Sequence, residues 1–244
     1  MPNWCYNILQ IEGNKKELLK FYTENKNNES EYENKIQELD FYKSVPIPKE
    51  QEENWYEWNN QNLGTKWNVQ NAYYKLCEII DKETGFNTIK TIYLKTSEKN
   101  YPLQLGSIIK KFVTSYEIKY SFDTAWSPPV PWVIKTSTKY PNLKFRLEYE
   151  EMGCDFCGIF CVRNGTCLHN ICESFQEKEY RRNEKEIDTI IINFFENIDI
   201  DIISDIESIS NHLEGIHEIL HEHDFYLDDE FIFEIIKKIK KKVS

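Results

Sequence analysis

The chain has 244 residues, of which 40% are hydrophobic and 14% aromatic, with eight Gly and eight Pro. This composition excludes a wholly disordered or collagen-like chain, and the length suits one large domain or two small ones. No apolar run approaches the ~20 residues of a membrane-spanning helix, and the first residues lack the features of a signal peptide. We therefore expect a cytoplasmic, non-secreted protein whose seven Cys residues are thiols or metal ligands rather than disulfides.

The formal net charge of -11 is concentrated in one part of the chain. Residues 183–236 contain 16 acidic residues and one basic residue, whereas residues 1–182 are close to neutral. The asymmetry predicts two units, a domain over residues 1–174 and an acidic helical extension over residues 175–244. An acidic chain is a poor general binder of polyanions.

Residue patterns in the first half of the chain predict alternating strands and helices. Period-two alternation indicates strands, and apolar residues three or four positions apart indicate helices. Asn14 is a typical N-cap for a first helix. The predicted elements are strands over 4–12 and 39–45, an ordered loop over 49–67, a helix over 71–81, a strand over 88–96 and a helix over 105–114.

The second half predicts two more strands with a helix between them, then a hairpin, then helices to the end. Asn164-Gly165 between two strand-like runs is the strongest short-range hairpin signal in the chain. The predicted elements are strands over 116–122 and 144–149, a helix ending near 140, hairpin strands over 156–163 and 166–172, and helices from 175 onward. This order predicts an α+β fold: a ferredoxin-like antiparallel sheet with two helices on one face, an added β-hairpin and a helical C-terminal extension.

Four short segments resemble a known family. They are Met1-Pro2-Asn3-Trp4-Cys5, Leu63-Gly64-Thr65-Lys66-Trp67, Phe122-Asp123-Thr124-Ala125-Trp126-Ser127-Pro128-Pro129 and Leu147-Glu148-Tyr149-Glu150. Together they are similar to the YubB-type ferredoxin-like domain family of phages, plasmids, some bacteria and large DNA viruses. The resemblance covers roughly residues 1–71 and 116–165, so that 72–115 would be an insertion. It implies a fold, an origin in a virus or mobile element, and a host-cell cytoplasmic location if viral, but no activity.

The first candidate site is an aromatic and polar cluster formed by these segments. In a ferredoxin-like domain, the start of the first strand and the end of the third can lie close together. Tryptophan faces with one Lys and one Asp suit the stacking of a flat ligand or a base; alternatively, the tryptophans wedge loops against the sheet. The candidate ligand-binding residues are Asn3, Trp4, Lys66, Trp67, Asp123, Thr124 and Trp126.

Cysteines in the hairpin form a second candidate site, for zinc. With a two-residue turn at Asn164-Gly165, Cys157 faces Cys172 directly. A structural zinc site needs four converging ligands, and one face of this hairpin supplies at most three Cys. The alternative is that these cysteines pack as small hydrophobic residues.

A third candidate is His217-Glu218-Ile219-Leu220-His221, which matches the H-E-x-x-H pattern. On a helix this spacing places both His on one face for zinc, with Glu218 as general base. The two His lie on the flank of the apolar stripe, and the surrounding segment is acidic. The alternative is a solvated helix flank.

The features together favour a non-enzymatic binding protein of a virus or mobile element. Its expected partners are a host or viral protein or a nucleotide-like small ligand, with no transmembrane segment. No cofactor is expected, and zinc belongs only to two alternatives: the hairpin cysteines Cys157 and Cys172, and a zinc-dependent hydrolase that uses His217 and His221. A second alternative is single-stranded nucleic-acid binding on the open sheet face, which the near-neutral charge of residues 1–182 disfavours.

Overall fold

The computed structural model describes residues 2–27, 37–80, 90–92, 113–198 and 210–243. The chain divides into two compact units, Met1–Cys172 and Glu173–Ser244. The first unit contains a seven-stranded antiparallel sheet, and the described part of the second is helical.

Strand β1 (Trp4–Gly13) lies at the centre of the sheet. Its side chains alternate, so that Cys5, Leu9 and Ile11 are fully buried while their neighbours face the open side. It pairs with β4 (Val113–Ala125) on one side and with β5 (Lys144–Glu151) on the other. The three strands predicted from period-two alternation are thus confirmed.

Helix α1 (Lys15–Asn25) begins as its sequence predicts. The Asn14 side chain accepts a hydrogen bond from the backbone N–H of Glu17 at 3.0 Å, which satisfies one of the free donors of the first turn. The helix buries Leu18 and Phe21 in the cluster that also holds the inward side chains of β1.

The prediction of a short strand over residues 39–45 is wrong. The segment contains helix α2 (Phe41–Ser44) instead. Asp40 caps it, because its carboxylate accepts the backbone N–H of Tyr42 at 2.9 Å and so favours a helical turn. Phe41 then packs against Trp132 with ring centroids 4.4 Å apart.

The prediction of an ordered loop without helix over residues 49–67 is also wrong for most of its length. A 3₁₀ helix (Lys49–Asn54) continues into α3 (Trp55–Asn62). The only residue of α3 that is fully buried is the polar Asn59. The helix therefore lacks the apolar stripe by which sequence patterns are recognised.

The predicted helix over residues 71–81 is a strand, β2 (Gln70–Ile80). It pairs antiparallel with β4, from Gln70 opposite Asp123 to Ile80 opposite Val113. Short runs rich in Tyr, Ile and Cys fit either structure by periodicity, and here the pairing with β4 decides. Residues 72–80, which we expected in an insertion, therefore lie in the sheet.

The short strand β3 (Lys90–Ile92) pairs with β2 and lies within the strand predicted over 88–96. Of the helix predicted over 105–114, residues 105–112 lie outside the described residues, whereas Val113 and Thr114 begin β4. The predicted helix is therefore wrong for these two residues.

The sheet order is β3-β2-β4-β1-β5-β6-β7. Its central strands β2-β4-β1-β5, with α1 and α4 (Val130–Lys139) between them in the chain, have ferredoxin-like topology. Trp132 and Val133 of α4 share one apolar cluster with Leu18 and Phe21 of α1. The predicted α+β, ferredoxin-like fold is confirmed.

The predicted hairpin is confirmed as β6 (Phe156–Arg163) and β7 (Thr166–Glu173). Asn164 and Gly165 both have positive φ, 48° and 72°, which is the signature of a type I′ turn. β6 extends the sheet beside β5, and β7 is its last strand.

The described helices of the second unit are α5 (Phe175–Asn197), α6 (Leu213–Glu222) and α7 (Asp229–Val243). Ser174 and Glu177 form a capping box at the start of α5. The Lys242 ammonium group contacts Glu184 at 2.7 Å and Asp188 at 2.8 Å, so basic residues of α7 meet acidic residues of α5. No helix among the described residues is long and apolar enough to cross a membrane.

Candidate functional site

Exposed aromatic side chains gather where β1 begins and β4 ends. We call this cluster the tryptophan end and define it as Trp4, Tyr56, Lys66, Trp67 and Trp126. Antiparallel pairing places Trp4 opposite Ala125, and the backbone N–H of Trp126 donates to the carbonyl of Asn3 at 2.9 Å. Two of the family-like segments are therefore joined by backbone hydrogen bonds.

The family-like segment at residues 63–67 contributes the ring of Trp67 and the ammonium group of Lys66. The rings of Trp4 and Trp67 lie 6.2 Å apart at 47°. The ammonium nitrogen of Lys66 lies 4.7 Å from the centroid of Trp67 and 5.7 Å from that of Tyr56, within cation–π range. Trp4 is 46% exposed, so this surface of rings is open to solvent.

Trp126 is held in an uncommon backbone conformation. Its φ is 73°, a region that bulky L-residues rarely adopt and that costs about 1–3 kcal/mol. Its 46% exposed ring shows that the conformation is not adopted to bury the ring in the core. The hydroxyl of the following residue, Ser127, donates to the carbonyl of Gly64 at 2.5 Å, which connects this turn to the segment at residues 63–67.

Thr124 positions the site rather than facing a ligand. It is fully buried, and its hydroxyl accepts from the Asn7 amide and donates to the carbonyl of Ser127, both at 2.8 Å. Asp123 belongs to the open face of the sheet, in register with Tyr6 and with Gln70. Of the predicted ligand-binding residues, Thr124 alone is fully buried.

Asn3 links the cluster to the turn after β5. Its side-chain amide lies 3.6 Å from the Cys154 sulfur, while the backbone N–H groups of Gly153 and Cys154 both donate to the Glu151 carboxylate at 2.7 Å. Burial by itself raises the pKa of Glu151, but these donors and the Cys154 thiol outweigh it and hold the pKa below its usual value. Hydrogen bonding to Glu151 in turn raises the pKa of the Cys154 thiol.

Sequence reasoning missed Tyr56 and Asn59, because both lie in the segment interpreted as a loop. The buried Asn59 amide donates to the carbonyl of Lys66 and to the Tyr42 hydroxyl, each at 2.9 Å. Its backbone carbonyl accepts the N–H groups of Leu63 and Gly64. Asn59 thus fixes the loop that carries Lys66 and Trp67, and an isolated Asn gives no signal of this role in the sequence.

The hairpin cysteines lie in different surroundings. Cys157 is 1% exposed, whereas Cys172 is an exposed thiol. Burial, with a hydrogen bond to the Cys172 thiol, raises the pKa of Tyr149, and the Tyr149 hydroxyl also lies 3.4 Å from the carbonyl of Ile171. Within the described part of the chain, no three His, Cys, Asp or Glu side chains are placed to hold one metal ion.

The two histidines of the H-E-x-x-H pattern are used in other contacts. His217 Nε2 lies 2.6 Å from the Asp229 carboxylate, and the His221 ring packs on Tyr226 with centroids 4.8 Å apart. The two imidazole rings are 5.8 Å apart, and Glu218 is exposed. These contacts agree with a solvated helix flank.

Comparison with known proteins gives one family match. Residues 110–191, about a third of the chain, match the family described as the ferredoxin-like domain in Api92-like protein. The chain carries a ferredoxin-like domain. The matched range extends from the residues before β4 into α5.

One solved structure is similar, the crystal structure of the protein api92 from Yersinia pseudotuberculosis. The identity is 14% and the TM-score 0.34, over 58% of this chain and 43% of the other. This chain therefore spans less than half of that protein. No curated protein matches.

Proposed function

We propose that the protein is a non-enzymatic binding module whose tryptophan end holds a flat, nucleotide-like ring by stacking. The observation that carries the proposal is the open pair of Trp4 and Trp67, whose rings lie 6.2 Å apart beside the Lys66 ammonium group. The exposed tryptophan rings leave apolar surface in contact with water. A partner that covers this surface removes it from water, and that burial contributes free energy to binding.

The support for the rings is rigid, which favours recognition. Trp4 starts a central strand, Asn59 fixes the Lys66 backbone, and Trp126 keeps a positive φ. Strained residues held by their surroundings cluster at binding sites, and pre-ordered side chains bind with a smaller entropy cost. The YubB-like segments support the further proposal that the module serves a virus, phage or other mobile element. The identity of the genes on either side of its gene tests that origin.

Tryptophan fluorescence of the full chain tests the binding function. We expect saturable quenching when guanosine, adenosine, cytidine or uridine is added, because a stacked base changes the environment of Trp4 and Trp67. Trp4→Ala should weaken binding by about 1–3 kcal/mol.

The matched control is Tyr226→Ala, which removes an aromatic side chain that is 64% exposed in the helical unit. It should leave the titration unchanged. A flat titration with all four nucleosides, or an equal loss in Trp4→Ala and Tyr226→Ala, would contradict the proposal.

A further inference from the structure

The ammonium group of Lys66 lies at the edge of the stacking surface, and its N–H donors make no hydrogen bond with the described residues. Its ammonium nitrogen lies over Trp67 and Tyr56, yet it makes no ion pair or hydrogen bond with any described residue. A lysine ammonium has three N–H donors, and the face of a ring satisfies none of them fully. The two rings thus orient a charge that remains available to an anion.

Two carboxylates lie close to Trp4 on the open face of the sheet. Asp123 and Glu150 are both in register with Tyr6, one on each neighbouring strand. Trp4 lies two residues from Tyr6 on the same face of β1, so Asp123 is its diagonal neighbour, about 7–8 Å away. A carboxylate can accept several hydrogen bonds at its two oxygens. Asp123 and Glu150 can therefore keep their contacts within the protein and still accept hydrogen bonds from a ligand.

The site therefore has a cationic side, a stacking surface and an acceptor side. We propose that it takes a free guanine mononucleotide, with the ring on Trp4 and Trp67, the phosphate on Lys66 and the base edge on Asp123. This inference rests on the proposed function and adds the chemical class of its ligand. Guanine fits because its edge carries two neighbouring N–H donors, which a carboxylate accepts together.

A free nucleotide fits better than a nucleic-acid strand. A strand that continued from Trp4 over the open face would first bring a phosphate toward Asp123 and Glu150, which flank Tyr6. Like charges at such separations repel. One phosphate at Lys66 avoids this repulsion.

Calorimetric titration of the full chain with guanosine 5′-monophosphate and with guanosine tests the role of Lys66. The monophosphate should bind about tenfold more tightly, since a charge-assisted hydrogen bond is worth about that factor. Lys66→Met keeps an unbranched side chain on the rings but removes the charge, and should bind both ligands equally. The control Lys15→Met also removes a lysine that lies over a ring, that of Tyr116 at 5.5 Å, and should keep the difference.

A second variant tests the acceptor side. Asp123→Asn should bring guanosine monophosphate binding down to the level of the uridine nucleotide, whereas Glu12→Gln, at the opposite end of β1, should not. Equal binding of guanosine and its monophosphate by the unchanged protein would overturn the inference and leave the stacking function standing. If neither guanosine nor its monophosphate binds, both the inference and the proposed stacking function are overturned. Tighter binding of a guanine hexanucleotide than of the mononucleotide would overturn the assignment of a free nucleotide as the ligand.

Discussion

Single polar residues determine how the aromatic rings of the tryptophan end are presented. Asn7 and Thr124 are both buried and bind each other across β1 and β4 at 2.8 Å. Asn59 reaches from α3 to the carbonyl of Lys66. Each of these contacts satisfies polar groups that would be costly to bury alone. The presentation of the exposed rings thus depends on buried polar residues beneath them.

Glu151 gives a prediction about pH at the same scale. Its pKa is lowered in the folded chain, despite burial, by the Gly153 and Cys154 donors. A carboxylate with a depressed folded pKa contributes stability above its unfolded pKa, near 4.3, and loses that contribution as the pH falls through the folded value.

Denaturant unfolding of Glu151→Gln and of the unchanged protein should therefore differ by a constant amount between pH 6 and 8, and the difference should shrink below about pH 4. The matched control is Glu12→Gln, a carboxyl on the open face of β1, the strand that pairs with β5. A difference that grew on acidification would show that Glu151 is not held ionised by the turn.

Elements form where local pattern and sheet pairing agree, and predictions fail where they disagree. β1, β4 and β5 alternate strictly, and all three were predicted. β2 carries a pattern that fits a helix, yet its pairing with β4 from Gln70 to Ile80 makes it a strand. Such pairing is a contact between distant residues, which single-sequence periodicity does not contain.

The hairpin turn offers a prediction at the scale of an element. Gly165 has a φ of 72°, and a Cβ there would lie 2.8 Å from Thr138 Cγ2. Gly165→Ala should lower the free energy of unfolding by about 1–2 kcal/mol, since an L-residue pays that cost in the left-handed region.

Asn164→Gly is the matched control, because glycine adopts the same positive φ without strain. Denaturant titration should place it within a few tenths of a kcal/mol of the unchanged chain. Equal stability of Gly165→Ala and Asn164→Gly would rule out the type I′ turn as a source of stability.

The described residues form two separate apolar clusters, one in each compact unit. The first is centred on the sheet and includes Leu9 and Trp132. The second lies among α5, α6 and α7 and includes Ile216 and Leu220. Each unit thus has a hydrophobic core of its own, and domains with their own cores can unfold as separate cooperative transitions.

Calorimetry should therefore show two transitions. Leu9→Ala and Ile216→Ala each remove a fully buried side chain and should cost about 2–5 kcal/mol in the unit that holds it. Each variant should lower the midpoint of one transition only. A single transition that shifts equally in both variants would contradict two independently stable units.

The sequence by itself determined strands β1, β4 and β5, the first and last helices of the described chain and the Asn-Gly hairpin, because caps, turns and period-two alternation are local. It also grouped Trp4, Trp67 and Trp126 through family-like segments. Only the tertiary structure decided that residues 70–80 form a strand, that α3 brings Tyr56 to Lys66, and that Thr124 is buried while Trp126 is exposed. These outcomes depend on sheet pairing and on buried polar contacts between residues far apart in the chain, which no local pattern records.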